Sequence, residues 1–102
     1  MSLELKGKTA IVTGASRGIG KALACTAASL GVNLVIGARN LGPLKETADE
    51  IAKKFKVQVL PVACDVTKLE DLENLVKSAK EKFGQIDILI NNAGVSSQYP
   101  FQ

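Results

Sequence analysis

Three glycines lie close together in the segment TGASRGIG, which runs from Thr13 to Gly20. Gly14, Gly18 and Gly20 form a G-x-x-x-G-x-G pattern directly after the apolar run TAIVT. Glycine lacks a Cβ atom, so it permits a tight turn and lets the backbone approach another group closely. Backbone amides at the start of a helix attract anions. The segment therefore predicts a loop that holds a phosphate group, and a purely structural turn is the alternative.

The phosphate interpretation requires a strand before the loop and a helix after it, and the sequence predicts both. Four short apolar runs with β-branched residues predict strands at residues 8–13, 32–38, 56–63 and 86–91. Three amphipathic patterns predict helices at residues 18–30, 43–55 and 68–83. The strands are nearly continuous in apolar character, which is typical of a parallel sheet that is buried on both faces.

The alternation of strands and helices predicts a doubly wound α/β fold, the Rossmann architecture, with strand order 3-2-1-4. Ligands bind such sheets at the carboxyl ends of the strands, here between the first and fourth strands. Gly31 and Gly84 follow the first and third helical patterns, where glycine commonly ends a helix. The sequence TKLE has the spacing of a capping box, so we expect Thr67 to cap the third helix.

Composition restricts the classes of partner and location. A chain of 102 residues forms one domain at most, and its net charge is +3. Most lysines lie on the amphipathic patterns, which favours solvated helix faces over a nucleic-acid-binding patch. No run approaches the roughly 20 apolar residues that a membrane span needs. The start, MSLELKGK, lacks the apolar stretch of a secretion signal, so we expect a cytoplasmic protein without membrane or nucleic-acid partners.

The two cysteines do not indicate a metal site or a disulfide. Cys25 falls within a helical pattern and Cys64 at the end of a strand, with no C-x-x-C motif. The chain contains no histidine, which excludes a histidine-ligated metal. We expect two free, largely buried thiols in a reducing compartment and no metal site.

Three motifs together resemble one enzyme family. They are TGASRGIG after the first strand, CDVT (Cys64 to Thr67) after the third, and NNAG (Asn91 to Gly94) at the end of the fourth. In order and spacing they are similar to the classical short-chain dehydrogenase/reductase family, especially its 3-oxoacyl-[acyl-carrier-protein] reductase-like members. The resemblance implies that residues 1–102 are the N-terminal part of one NAD(P)-binding Rossmann domain. It further implies hydride transfer between a carbonyl and an alcohol, a small-molecule substrate and a homo-oligomeric parent protein.

The end of the second strand indicates which nicotinamide dinucleotide binds. NAD-binding Rossmann units carry an acidic residue about 20 positions after the glycine loop, where it accepts the ribose hydroxyls. Here Ala38 and Arg39 occupy that region, and Arg17 lies within the loop itself. Guanidinium groups form paired, charge-assisted hydrogen bonds to phosphate oxygens. We therefore predict NADP(H), with Arg39 at the start of a solvated loop as the alternative.

The resemblance and the reasoning above assign cofactor contacts to the loops at the carboxyl edge. The residues are Gly14, Ser16, Arg17, Gly18, Ile19, Gly20, Arg39, Asp65, Val66, Asn92, Ala93 and Gly94. By resemblance, Asp65 accepts the adenine amino group and the Val66 backbone lies beside the ring. Ile19 lies under the pyrophosphate, and Asn92 to Gly94 line the adenosine ribose. For Asp65 the alternative is a charge that interacts with a helix dipole, and for Asn91 we favour a side chain that bridges neighbouring strands.

The residues that transfer protons in this family are not found in the sequence. The resemblance implies a serine, a Tyr-x-x-x-Lys pair and an asparagine downstream of NNAG, and the lysine would lower the pKa of the tyrosine. Ser96, Ser97 and Tyr99 lie in the tail, but position 103, where the lysine would stand, lies beyond Gln102. We therefore assign no catalytic residue and expect the chain to be inactive alone. An apolar edge strand is a poor ending for a sheet. We therefore expect these residues to be part of a longer chain, with a second polypeptide that completes the sheet as the alternative.

Two other classes of function remain open at this point. One is a non-catalytic nucleotide-binding or assembly module, in which the glycine loop binds a ligand without chemistry. The other is a Rossmann methyltransferase with a nucleoside cofactor. That class also requires an acidic residue after the second strand, so Ala38 and Arg39 count against it.

Overall fold

The computed structural model describes residues 5–15 and 18–92. These residues form four strands and three helices in strict alternation. The strands are β1 (Thr9–Thr13), β2 (Asn33–Ala38), β3 (Val59–Ala63) and β4 (Ile88–Asn91). The helices are α1 (Gly18–Ser29), α2 (Leu41–Phe55) and α3 (Leu69–Phe83).

All four strands are parallel and form one sheet in the order β3-β2-β1-β4. This confirms the predicted order 3-2-1-4. Strand β1 is central, with Thr13 opposite Gly37 of β2 and opposite Asn91 of β4. Within the described part of the chain, strand β3 pairs on one side only, and it carries Pro61, a residue that sheets accept chiefly at edges. The carboxyl ends of all four strands therefore lie along one edge of the sheet.

Helices cover both faces of this sheet, and each face has its own hydrophobic core. On one face α1 and α2 pack against the sheet through small and aliphatic side chains. The buried members from these helices are Ala24, Ala28, Leu44, Ala48 and Ile51. On the other face, Leu75 and Ala79 of α3 pack against Ile11 and Val35. Burial on both faces explains the continuous apolar character of β1 and β2.

Three boundaries differ from the sequence prediction by two residues or more, for local reasons. Helix α2 begins at Leu41 rather than at residue 43, because Pro43 fits the first turn of a helix, where its missing N–H has no partner to lose. Strand β3 begins at Val59 rather than at residue 56. Lys56 caps α2 with φ 58°, and a residue with that backbone conformation cannot start a strand. Strand β4 begins at Ile88, because the Asp87 carboxylate accepts the Thr9 N–H at 2.9 Å before the strand pairing starts.

The predicted glycine caps are confirmed, and the predicted capping box is wrong. Gly31 adopts φ 85° and its N–H donates to the carbonyl of Ala28, while Gly84 caps α3 with φ 82°. The N-cap of α3 is Lys68, without a side-chain cap bond. Thr67 instead donates from its hydroxyl group to Asp65, which forms the turn before the helix.

The lysines of the helices and the two cysteines have the exposure that the sequence predicted. Six lysines of α2 and α3 are exposed to solvent: Lys45, Lys53, Lys54, Lys77, Lys80 and Lys82. Cys64 is buried, Cys25 is partly buried, and both thiols are free.

Within the part of the chain that the structure describes, no helix has the length and apolar character needed to cross a membrane. The same residues contain no group of three or more potential metal ligands.

Strands β1 and β4 are joined at their carboxyl ends by the hydroxyl group of Thr13. It donates to Asn91 Oδ1 at 2.7 Å and accepts the backbone N–H of Asn92 at 3.0 Å. Thr13 is only 1% exposed, so water cannot replace these partners. The prediction that Asn91 bridges neighbouring strands is confirmed.

Helix α1 approaches the end of β1 so closely that only glycine fits at the contact. A Cβ atom on Gly20 would overlap the carbonyl group of Gly14 and would lie 2.8 Å from Asn92 Nδ2. The glycine therefore fixes the start of α1 against the edge where β1 and β4 end. This is the close packing of helix and sheet that the glycine pattern predicted.

We expect Gly20→Ala to destabilise the fold by about 1 to 3 kcal/mol, because backbone atoms must shift to admit the methyl group. Intrinsic helix propensity acts in the opposite direction and favours alanine. Gly84→Asn is the matched control, since its surroundings are open and asparagine tolerates a positive φ at a helix end. Urea unfolding of the three proteins measures the effect. An equal or smaller loss for Gly20→Ala than for the control would contradict the steric explanation.

We expect Thr13→Val to cost about 1 to 3 kcal/mol of stability, because it leaves the Asn91 side chain and the Asn92 N–H without their buried partner. Thr13→Ser keeps the hydroxyl group and should cost clearly less. Chemical denaturation of both variants tests the bridge. If valine and serine are equally destabilising, the loss comes from packing rather than from the hydroxyl.

Candidate functional site

The loops at the carboxyl edge enclose a cavity of about 310 Å³. Its walls come from the last residue of β2 and from the residues that follow β1, β2 and β3. They are Gly14, Ala38, Arg39, Cys64, Asp65, Val66 and Thr67. Four of the predicted site residues therefore line one cavity: Gly14, Arg39, Asp65 and Val66. The parallel sheet brings them together although they are distant in sequence.

The glycine loop leaves β1 in a sharp turn. Gly14 adopts φ 65° and donates its N–H to the carbonyl of Gly37 at 2.7 Å, which ties the loop to β2. Gly18 adopts φ 66°, and the space beside it is open. Ile19 is 69% exposed at the start of α1, which is unusual for a large apolar side chain. The predicted residues Ser16 and Arg17 lie outside the described residues.

Arg39 is the cationic group of the cavity. It follows directly on Ala38, the last residue of β2, and its side chain is exposed along the cavity wall. No carboxylate stands at this strand end, since β2 is followed by Arg39 and Asn40. The electrostatic character of this wall is therefore positive, which suits an anionic group.

Asp65 is the anionic group of the same cavity and forms a tight turn with Thr67. Its Oδ1 accepts the Thr67 hydroxyl group at 2.6 Å and the Thr67 N–H at 3.0 Å. These hydrogen bonds lower the pKa of the Asp65 carboxyl, and the positive charges of Arg39 and Lys68 act in the same direction. The carboxyl is therefore ionised at neutral pH and can only accept hydrogen bonds.

Cys64 contributes a neutral, apolar part of the cavity wall. Its N–H donates to the carbonyl of Ala38 at 2.9 Å, and its side chain is 3% exposed. Burial raises the pKa of the thiol, and the nearby charges of Asp71 and Asp65 add to the effect. The group is therefore a thiol at neutral pH and serves as part of the wall rather than as a nucleophile.

Asn92 lies at the end of β4 on the other side of the glycine loop. Its N–H is used by Thr13, and its side-chain amide lies beside Gly20. The predicted residues Ala93 and Gly94 lie outside the described residues, as do Ser96, Ser97 and Tyr99 of the tail. The structure thus groups the glycine loop, Arg39, Asp65, Val66 and Asn92 along one edge.

Sequence reasoning missed three residues of this site. Thr67 carried a signal, because an aspartate two residues before a threonine is typical of a side-chain-stabilised turn. Cys64 could have been assigned to the cavity wall from its position after β3. Asp71, whose Oδ2 accepts the N–H of Asp65 at 2.9 Å, carried no such signal because it belongs to α3.

The fold and its motifs match known proteins along nearly the whole chain. The NADP-dependent 3-hydroxy acid dehydrogenase of Schizosaccharomyces pombe is 42% identical over 93 residues, which cover 90% of this chain and 36% of that protein. L-Sorbose reductase of Gluconobacter frateurii, solved with NADPH and L-sorbose, is 42% identical with a TM-score of 0.89. That match covers 99% of this chain and 38% of the reductase.

A third solved structure carries the other dinucleotide. It is a short-chain dehydrogenase/reductase from Burkholderia phymatum in complex with NAD, 36% identical with a TM-score of 0.79. The match covers 84% of this chain and 30% of that one. This chain thus spans between three and four tenths of the length of these three proteins.

The family model described as short chain dehydrogenase matches residues 8–102. It does not separate the 3-oxoacyl-[acyl-carrier-protein] reductase-like members from others, so that subtype stays a prediction. The strand order, the glycine loop at the end of β1 and this match agree, and the chain belongs to the short-chain dehydrogenase/reductase family.

Proposed function

We propose that this chain is the cofactor-binding portion of an NADP(H)-dependent oxidoreductase that transfers hydride between a carbonyl and an alcohol. The observation that supports NADP(H) over NAD(H) is the presence of Arg39 in the wall of the cavity. A 2′-phosphate beside this guanidinium would receive charge-assisted hydrogen bonds, each contributing about 1.5–3 kcal/mol. One such bond favours the phosphorylated cofactor by roughly tenfold or more.

The relatives support this choice without deciding it. The Schizosaccharomyces pombe relative is NADP-dependent by name, and the L-sorbose reductase structure contains NADPH. The Burkholderia phymatum structure contains NAD, so both dinucleotides occur among the family's structures. The charge at the end of β2 is therefore the feature of this chain that discriminates between them.

The residues at the carboxyl edge fit the parts of a dinucleotide. The cavity between Arg39 and Asp65 has the volume and the two charges for an adenosine with a 2′-phosphate. Gly18, with open space beside it, and the start of α1 suit the pyrophosphate, and Ile19 would be covered by the bound cofactor. By resemblance to the family, Ser16, Arg17, Ala93 and Gly94 would complete the contacts. When bound, the nicotinamide supplies the hydride.

In this proposal the chain binds and orients the cofactor, and proton transfer belongs to residues outside this sequence. Two exposed apolar side chains support a larger parent protein. Leu69 of α3 is 71% exposed and Leu89 of β4 is 65% exposed. Side chains of this size are usually buried, so we propose that further parts of the parent cover them. Its substrate would be a small carbonyl or alcohol compound.

Calorimetric titration of the purified 102-residue chain with NADPH, NADH and S-adenosylmethionine tests the proposal. We expect binding in the order NADPH, then NADH, with no detectable binding of S-adenosylmethionine. We also expect no reduction of carbonyl compounds by this chain alone. Binding of S-adenosylmethionine would favour a methyltransferase, and measurable ketone reduction would contradict the assignment of proton transfer to other residues.

We expect Arg39→Asp to weaken NADPH binding by at least about tenfold, since it removes a phosphate partner and adds a repelling charge. NADH binding should change far less, because that cofactor has no 2′-phosphate. Lys45→Asp is the matched control, as it reverses an exposed charge on α2 outside the cavity wall. Equal losses for the two cofactors in Arg39→Asp would contradict the role of this residue.

A further inference from the structure

Asp71 is a charged residue that belongs neither to the glycine loop nor to the residues that line the cavity. It lies in the first turn of α3 and is partly buried. Its Oδ2 accepts the backbone N–H of Asp65 at 2.9 Å. A side chain of the helix thus holds the main chain of the loop that follows β3.

This bond completes a set of restraints around Asp65. The carbonyl of Asp65 accepts the N–H of Lys68 at 2.9 Å, and its Oδ1 accepts two hydrogen bonds from Thr67. With Asp71 on its N–H, the residue is held at its amide, its carbonyl and one carboxylate oxygen. Among the described residues nothing donates to the other oxygen, Oδ2. That oxygen is the acceptor that Asp65 has left for a ligand in the cavity that it lines.

We propose that Asp71 is a positioning residue that fixes Asp65 so that its free Oδ2 selects a base with an exocyclic amino group. The inference rests on the proposed function and deepens it. A carboxylate only accepts hydrogen bonds, so it pairs with the amino group of adenine. Hypoxanthine has a carbonyl oxygen at the same position, and two acceptors that face each other repel. If Asp65 is free to rotate away, this discrimination is lost.

A purely electrostatic role for Asp71 makes a different prediction. A carboxylate in the first turn of a helix interacts favourably with the helix dipole. Glu70 lies in the same turn, is exposed and carries the same charge. If charge alone matters, loss of either side chain should have similar effects, and Asp71→Asn should behave like Asp71→Ala. If the hydrogen bond matters, asparagine should replace aspartate, because its side-chain oxygen also accepts an N–H.

The experiment compares the dissociation constants of NADPH and of reduced nicotinamide hypoxanthine dinucleotide phosphate. The proteins are the unchanged chain, Asp71→Ala, Asp71→Asn and the control Glu70→Ala. We expect the unchanged chain to prefer NADPH by about three- to tenfold, the effect of one net hydrogen bond. Asp71→Ala should lower this preference towards one by weakening NADPH alone. Asp71→Asn and Glu70→Ala should keep it.

A preference in Asp71→Ala equal to that of the unchanged chain overturns the inference, as does an equal loss in Glu70→Ala. Failure of the unchanged chain to bind either dinucleotide would instead overturn the proposed function. Hydrogen exchange of the Asp65 amide in the unchanged chain needs no variant and covers the case in which Asp71→Ala does not fold. We expect this amide to be protected, and exchange at the rate of an unstructured peptide would overturn the inference.

Discussion

Strand β1 pairs with β2 on one side and with β4 on the other. The positions of the polar groups at the carboxyl edge of the sheet depend on this double pairing. Because all strands run in one direction, the loops after β1, β2 and β3 open at the same edge. The Thr13 hydroxyl and the glycine contact between α1 and the end of β1 then hold that edge at fixed spacing. A shift of one residue in the pairing of β2 with β3 would change the position of Arg39 relative to Asp65.

The cavity wall contains two residues of opposite charge, and its other residues are neutral. Arg39 provides a cation and Asp65 an anion that its turn with Thr67 keeps ionised, while buried Cys64 adds a neutral thiol to the wall. A ligand that satisfies both must carry an anionic group and a hydrogen-bond donor. A phosphorylated adenosine meets both requirements, whereas a simple phosphate or a simple base meets one.

The sequence was sufficient for the strand order, because strict alternation of strands and helices with right-handed crossovers leaves few arrangements for a parallel sheet. It also located Asn91 as a bridge and Arg39 at the strand end, since both follow from the position of a residue in its element. Thr67 was misassigned because two patterns overlap at this residue: its spacing to Glu70 fits a capping box, and its spacing to Asp65 fits a turn. The structure shows that the hydroxyl group donates to Asp65. Asp71 was missed because its partner depends on how the loop folds back onto α3.

The contact between Thr13 and Asn91 spans 78 residues of sequence. The entropy of closing a loop rises slowly with its length, so this contact costs only about 1 kcal/mol more than the pairing of Thr13 with Gly37. The contact therefore affects the order in which the elements assemble more than it affects stability. On the ribosome, β1, β2 and β3 can assemble while α3 is still being made, but the glycine loop has no partner at β4 until Asn91 has emerged. Competence to bind would therefore arise only once Asn91 has emerged, after β1, β2 and β3 have had time to assemble.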